Sequence, residues 1–214
     1  MHIPDGYVSP ATFVLGYIVF TPLLILSFKK LTSKLSERTL PLISALSALS
    51  FVIMMLNIPI PGGTSGHAIG TAAISILIDP WIASLSVSIV LLIQALFFGD
   101  GGITTWSLNS LAMGFLASFS GFYTYRALNR FLNQKISSFI SGWTSIVVAS
   151  FFVAVVLGIQ PLIASENGKA LYFPFDLKVT IPAIVLSHML YFGIAEGIYT
   201  TIVTSFIRKV REER

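Results

Sequence analysis

Two short stretches hold the residues with the most specific chemistry: Met1-His2-Ile3-Pro4-Asp5-Gly6 and Gly62-Gly63-Thr64-Ser65-Gly66-His67. A histidine in second place can chelate in a way that no internal histidine can. The α-amine of Met1, the main-chain nitrogen of His2 and Nδ1 of its imidazole all reach one ion, closing two fused rings. With the amide nitrogen deprotonated the chelate is nearly planar and leaves one in-plane corner open. The imidazole of His67 suits that corner, and nitrogen donors in a square plane suit Ni(II) and Cu(II). Thr64 and Ser65 precede His67 as helix caps or as groups that orient its ring.

Other polar residues are candidates for supporting work. Gly99-Asp100-Gly101-Gly102-Ile103-Thr104-Thr105 reads as a tight loop with Thr104 or Thr105 capping the next helix, or as a close-approach loop. On the second reading Asp100 and Asn109 line the metal cavity in supporting or gating roles, since oxygen ligands suit harder ions. His188 and Glu196 fall in the last apolar run, about 80° apart at 100° per residue. Ionisable residues inside membrane helices are functional candidates by default; here interhelical hydrogen bonds are expected, with Glu196 also a candidate for touching a partner subunit.

These residues need elements to hold them. The chain of 214 residues is 55% apolar with mean hydropathy +0.86 and only 10% charged, against about 25% charged in soluble domains. It reads as an integral membrane protein. Cysteine is absent, which excludes thiolate metal sites and disulfides. There is no G-x-x-x-x-G-K-[ST], H-E-x-x-H or G-x-S-x-G, so ATP hydrolysis, zinc proteolysis and serine hydrolysis lack their motifs. Residues 1–8 hold no basic leader region, so Met1 is expected to remain the true N-terminus.

Apolar runs lie at 9–28, 40–57, 67–78, 81–98, 106–125, 138–159 and 180–207. A spanning helix needs about 20 such residues, so about seven transmembrane helices are expected. With the N-terminus outside, the segments 29–38, 126–135 and 208–214 hold every Lys and Arg except Lys169 and Lys178, and all three fall on the cytoplasmic side. The net charge of +4 is thus a topology signal, and no nucleic-acid partner is implied. The third run is short: as a helix, 67–78 covers about 18 Å at 1.5 Å per residue, against ~30 Å of hydrocarbon. Pro59 to Gly66 must make up the difference as irregular backbone, tolerated only inside protein or beside a wet cavity. His67 is therefore expected at a helix start below the outer surface, with Met1–Gly6 folded back to meet it.

The stretches Met1-His2-Ile3-Pro4-Asp5-Gly6-Tyr7-Val8-Ser9-Pro10, Gly63-Thr64-Ser65-Gly66-His67, Phe98-Gly99-Asp100-Gly101-Gly102-Ile103-Thr104 and His188 through Gly197 resemble the membrane substrate-binding subunit of energy-coupling-factor nickel/cobalt importers. The likeness runs from end to end. It implies a single transmembrane substrate-binding domain over 1–214, with an N-terminal helix ahead of a six-helix core. It also implies that Met1, His2 and His67 hold Ni(II), or alternatively Co(II), as the transported substrate, with no organic cofactor. The implied partners are a transmembrane coupling subunit, two cytoplasmic ATPase subunits and often a small accessory membrane protein. Small residues on the second span, Ser44, Ala45, Ser47 and Ala48, are candidates for the face meeting the coupling subunit. Two rivals stand beside nickel import: cobalt import for cobamide synthesis, and a membrane enzyme using His188 and Glu196 as acid–base groups.

Overall fold

The computed structural model describes residues 1–34, 36–37, 39–60 and 64–213, and of Thr64 only the main chain. Gly62 and Gly63, with Pro61, Arg38 and Arg214, lie outside the described residues. The apolar runs form helices α1 (Pro10–Lys34), α2 (Thr39–Met54), α3 (Thr71–Leu77) and α4 (Pro80–Phe98). Three longer helical stretches follow: α5 (106–128), α6 (Gln134–Ile163) and α7 (Leu177–Glu212). Among the described residues α1, α4, α6 and α7 are long and apolar enough to cross a membrane. Polar side chains start several of them. Asp79 accepts from Trp81 N at 2.8 Å ahead of α4, and Asn133 from Ile136 N at 2.9 Å ahead of α6.

The packing is inverted relative to a soluble protein. Val14, Leu15, Ile18 and Ile202 are exposed, whereas Ser84, Ser88, Ser118, Ser141 and Ser145 are fully buried. Small serines let helices approach closely, and their hydroxyls find main-chain acceptors. Ser141 donates to Gly121 O at 2.6 Å and Ser145 to Ala117 O at 2.8 Å, joining α6 to α5.

Two helices are interrupted by wider π turns, at Ser110–Leu116 in α5 and at Ile181–Val185 and His188–Phe192 in α7. Side chains from elsewhere bind carbonyls in these turns. Thr71 Oγ1 donates to Met113 O (2.8 Å), and Trp143 Nε1 donates to Met189 O (2.9 Å). Such turns cluster at functional sites, and both flank the centre described below.

The third run departs from expectation. α3 begins at Thr71, so it has seven residues, rising about 10 Å, and residues 67–70 are not helical. The preceding stretch is an antiparallel pair, β1 (Ile58–Ile60) with β2 (Thr64–Gly66), rather than irregular chain. His67 is thus four residues short of the helix, and Ser65 lies in β2 and caps nothing. A second small ladder, β3 (Ser165–Glu166) with β4 (Lys169–Ala170), stands in the loop between α6 and α7.

Candidate metal centre

Residues 1–6 fold back into the helices. Met1 and Ile3 are fully buried, and His2 is 4% exposed. Gly6 makes the turn at φ 82°, a conformation that favours glycine. The loop after α4 receives the segment. Ile3 N donates to Asn109 Oδ1 (2.8 Å), while Asn109 Nδ2 donates to Ile3 O (3.0 Å). The Thr105 hydroxyl also donates to Ile3 O. Asp5 accepts from Ile103 N (3.0 Å), Thr104 N (2.9 Å) and the Thr104 hydroxyl. A Cβ at Gly102 would overlap the Asp5 main chain and carboxylate, so glycine is what permits the approach. The two threonines hold the N-terminal segment instead of capping a helix.

Asp5 gives this docking a pH signature. Burial alone would raise its carboxyl, but the hydrogen bonds from Thr104 and Ile103 hold it below its ordinary 3.8. A depressed folded value means that the carboxylate stabilises docking fully above about pH 4 and stops doing so as pH falls through the lower docked value. Asp5→Asn is expected to speed amide exchange at Ile103 and Thr104 severalfold at neutral pH. The difference should shrink below pH 4; equal exchange at pH 7 would contradict the docking role.

At the centre the His2 and His67 rings stack, with centroids 4.6 Å apart. His67 Nδ1 donates to Ala68 O at 3.0 Å, which leaves its Nε2 as a bare acceptor 3.2 Å from His2 Nδ1. Metal–nitrogen bonds of about 2.0–2.1 Å would place neighbouring corners of a square about 2.9 Å apart. Asp100 Oδ1 lies 3.1 Å from His2 Nδ1, and Asn57 Nδ2 donates to the same oxygen at 3.2 Å. The Met1 amine donates to Ser65 O and, at 3.2 Å, to Ser65 Oγ.

Charge follows burial. The amine is pushed from its ordinary 8.0 down to about 4 by burial, against the pull of Asp100. Burial also lowers both imidazoles; the hydrogen bond to Asp100 opposes this at His2, and the charges of the amine and His2 reinforce it at His67. Burial would raise Asp100, yet the His2 hydrogen bond and the neighbouring positive charges hold it below the usual carboxylate range. At neutral pH the cluster is three neutral nitrogen donors beside one carboxylate. Among the described residues no three His, Asp or Glu side chains converge on a metal position.

Helix α7 grips the loop that carries His67. Glu196 is fully buried and accepts from Ile69 N (2.7 Å) and Gly70 N (3.0 Å). One helix turn away, Phe192 fills the space where Gly66 has no side chain. Ser50 of α2 donates to Ile69 O. Glu196 therefore cannot be a surface contact for a partner, and its hydrogen bonds go to a loop instead of another helix. His188 is buried too, with Nδ1 donating to Ile184 O of its own helix (2.7 Å). The π turns between them void the 80° estimate. The two residues engage different partners, which is not the arrangement of an acid–base pair. Ser44, Ala45 and Ala48 are exposed on α2, and Ser47 is half-buried. The Thr64 side chain lies outside the described residues.

The sequence comparison decides the family. Residues 2–214 match the family described as the cobalt uptake substrate-specific transmembrane region. The chain belongs to this family of substrate-specific membrane components of cobalt and nickel uptake systems. A putative metal transport protein of Methanocaldococcus jannaschii is 42% identical over 214 residues, covering all of this chain and 94% of the relative. The fused nickel transport protein of Rhodobacter capsulatus is 37% identical and the cobalt transport protein of Geobacter sulfurreducens 28%; each match covers all of this chain. The chain spans 63% and 61% of those two longer proteins. A crystal structure of a truncated transition metal transporter superposes with a TM-score of 0.94 at 42% identity, covering 98% of this chain and 99% of that one. This member of the family is thus a multi-pass membrane protein and a metal transport component.

Sequence reasoning singled out Met1, His2, His67, Asp100 and Asn109, and these are the residues brought together. It missed Asp5 and Asn57. Gly101-Gly102 signalled a close approach without saying what approaches.

Proposed function

We propose that the chain is the substrate-binding component of an energy-coupling-factor importer. It would capture Ni(II) on the outer side in a plane of four nitrogens. The donors are the Met1 amine, the His2 amide and Nδ1, and His67 Nε2. One observation carries the reading: His67 Nε2 faces His2 Nδ1 at 3.2 Å, beside a terminal residue, Met1, that is fully buried. Asp100 and the ionised His2 amide offset the charge of the ion. Glu196 accepts from the two amides just ahead of α3, so those N–H groups are taken up by a side chain.

On this reading the chain makes seven membrane passes with the N-terminus outside and the C-terminus cytoplasmic. Contacts among the basic ends support it: Lys34 pairs with Asp79 at 2.5 Å, and Arg208 lies over the Tyr125 ring at 5.4 Å. A coupling subunit would meet the exposed Ser44, Ala45 and Ala48 face, and two ATPase subunits would drive inward release, with a small accessory membrane protein often present. Co(II) is the alternative cargo, in keeping with the names of the cobalt relatives. Cu(II) would bind such a plane more tightly than either metal, so selectivity has to come from supply or from the cavity.

Titration of the purified full chain with NiCl2 tests the site. His67→Ala is expected to weaken binding at least about a hundredfold, roughly 2.7 kcal/mol. His188→Ala should change it less than about threefold, roughly 0.7 kcal/mol. The complex should be yellow and diamagnetic. A paramagnetic complex, or a His188 effect exceeding that of His67, would overturn the assignment.

A further inference from the structure

The His2 ring raises a question that its metal-facing nitrogen does not answer. Its other nitrogen, Nε2, is buried and has no hydrogen-bond partner among the described residues. Gln94, in the last turns of α4, is 0% exposed, and its Oε1 and Nε2 also lack partners among those residues. The Gln94 side chain is a polar neighbour of the His2 ring. Its main-chain carbonyl accepts from Asp100 N at 3.2 Å, so the same residue sets the loop whose carboxylate meets His2 Nδ1.

The proton on His2 has to change place. In the empty site Nδ1 faces a carboxylate oxygen and the bare Nε2 of His67. Two acceptors require a hydrogen on Nδ1, which leaves His2 Nε2 a lone pair in need of a donor. When a metal takes Nδ1, the neutral ring must carry its hydrogen on Nε2, which then needs an acceptor. A carboxamide is the side-chain group that offers a donor and an acceptor at one rotatable end.

We propose that Gln94 is the positioning residue for the His2 imidazole: its amide donates to Nε2 in the empty site and, rotated half a turn, accepts from Nε2–H when metal is bound. The proposal rests on His2 Nδ1 being a metal ligand. It gives a physical reason for burying an amide with neither end satisfied. Gln94 touches no substrate; it fixes the tautomer and aim of the ring that does.

The test uses the full chain with a native N-terminus and the variants Gln94→Met, Gln94→Glu and His2→Ala. Gln94→Met keeps the volume and removes both hydrogen-bonding ends. It is expected to lower Ni(II) affinity about ten- to a hundredfold, the range for loss of an outer hydrogen bond to a ligating histidine. With Cu(II) as a spectroscopic probe, pulsed electron paramagnetic resonance reads the remote nitrogen of the bound imidazole. Gln94→Met should shift the His2 remote-nitrogen signal and leave that of His67 unchanged. Gln94→Glu supplies an acceptor, and should keep or raise affinity while shifting the His2 signal the opposite way. An unshifted remote-nitrogen signal in either folded Gln94 variant, with His2→Ala abolishing binding, overturns the Gln94 role alone. Unchanged affinity in His2→Ala overturns the site itself and the Gln94 role with it.

Discussion

Placing one glycine ahead of Met1 is expected to cost the protein at least a thousandfold in nickel affinity, about 4 kcal/mol. The α-amine would become a peptide nitrogen, and the new amine, two ionised amides and His2 Nδ1 would fill all four corners of a plane without His67, in a chelate one residue too long for the buried site. The fit makes this worse. Met1 is 0% exposed, and its nitrogen already contacts Ser65 O and Oγ, so an added residue has to displace the β2 main chain. A retained formyl group should act alike, since it removes the lone pair while adding little bulk. Titration of the native and extended chains with NiCl2, under identical detergent conditions, measures the effect. Equal affinities, with His67→Ala still weakening binding in the extended chain, would eliminate the terminal amine as a donor.

Glu196→Ala carries the second large effect, and it reaches both stability and binding. The carboxylate accepts from Ile69 N and Gly70 N inside the protein. Its removal strands two buried amides, each costing about 1–3 kcal/mol. The sum, about 2–6 kcal/mol, is a large part of the roughly 5–15 kcal/mol by which domains are stable. Because Ile69 is two residues beyond His67, the loop carrying the imidazole should drift, with nickel affinity falling about ten- to a hundredfold. Glu196→Gln retains one acceptor oxygen and should fall between the alanine variant and the parent. Thermal unfolding and nickel titration on the same samples check both parts. A stable Glu196→Ala protein with undiminished affinity would show that the Glu196 contacts do not position His67.

The two kinds of information divided along physical lines. Hydropathy located α1, α4, α6 and α7, because burial in lipid demands long apolar runs that a single strand of sequence displays. The chelate proposed for Met1 and His2 was legible for a related reason: its donors are adjacent, so the chemistry is local. Of the basic residues expected to share one side, Lys34 pairs with Asp79 and Arg208 lies over the Tyr125 ring.

Short ladders and π turns were not legible. Strands of two or three residues have no periodicity to read, and a π turn is set by what the freed carbonyls bind. His67 therefore looked like the start of a helix, whereas its neighbours hydrogen-bond to Ser50 and Glu196 instead of to a helix turn. Asp5 meets Thr104 across 99 residues, and Ile69 meets Glu196 across 127. Partnerships over such separations leave no local trace, because packing alone decides which buried polar groups face each other. The sequence by itself determined a membrane protein, and it offered Met1-His2 and His67 as the nitrogen donors to bring together. The tertiary structure decided that the dipeptide is buried and that His2 faces His67, because only packed helices can bring groups 65 residues apart together away from water.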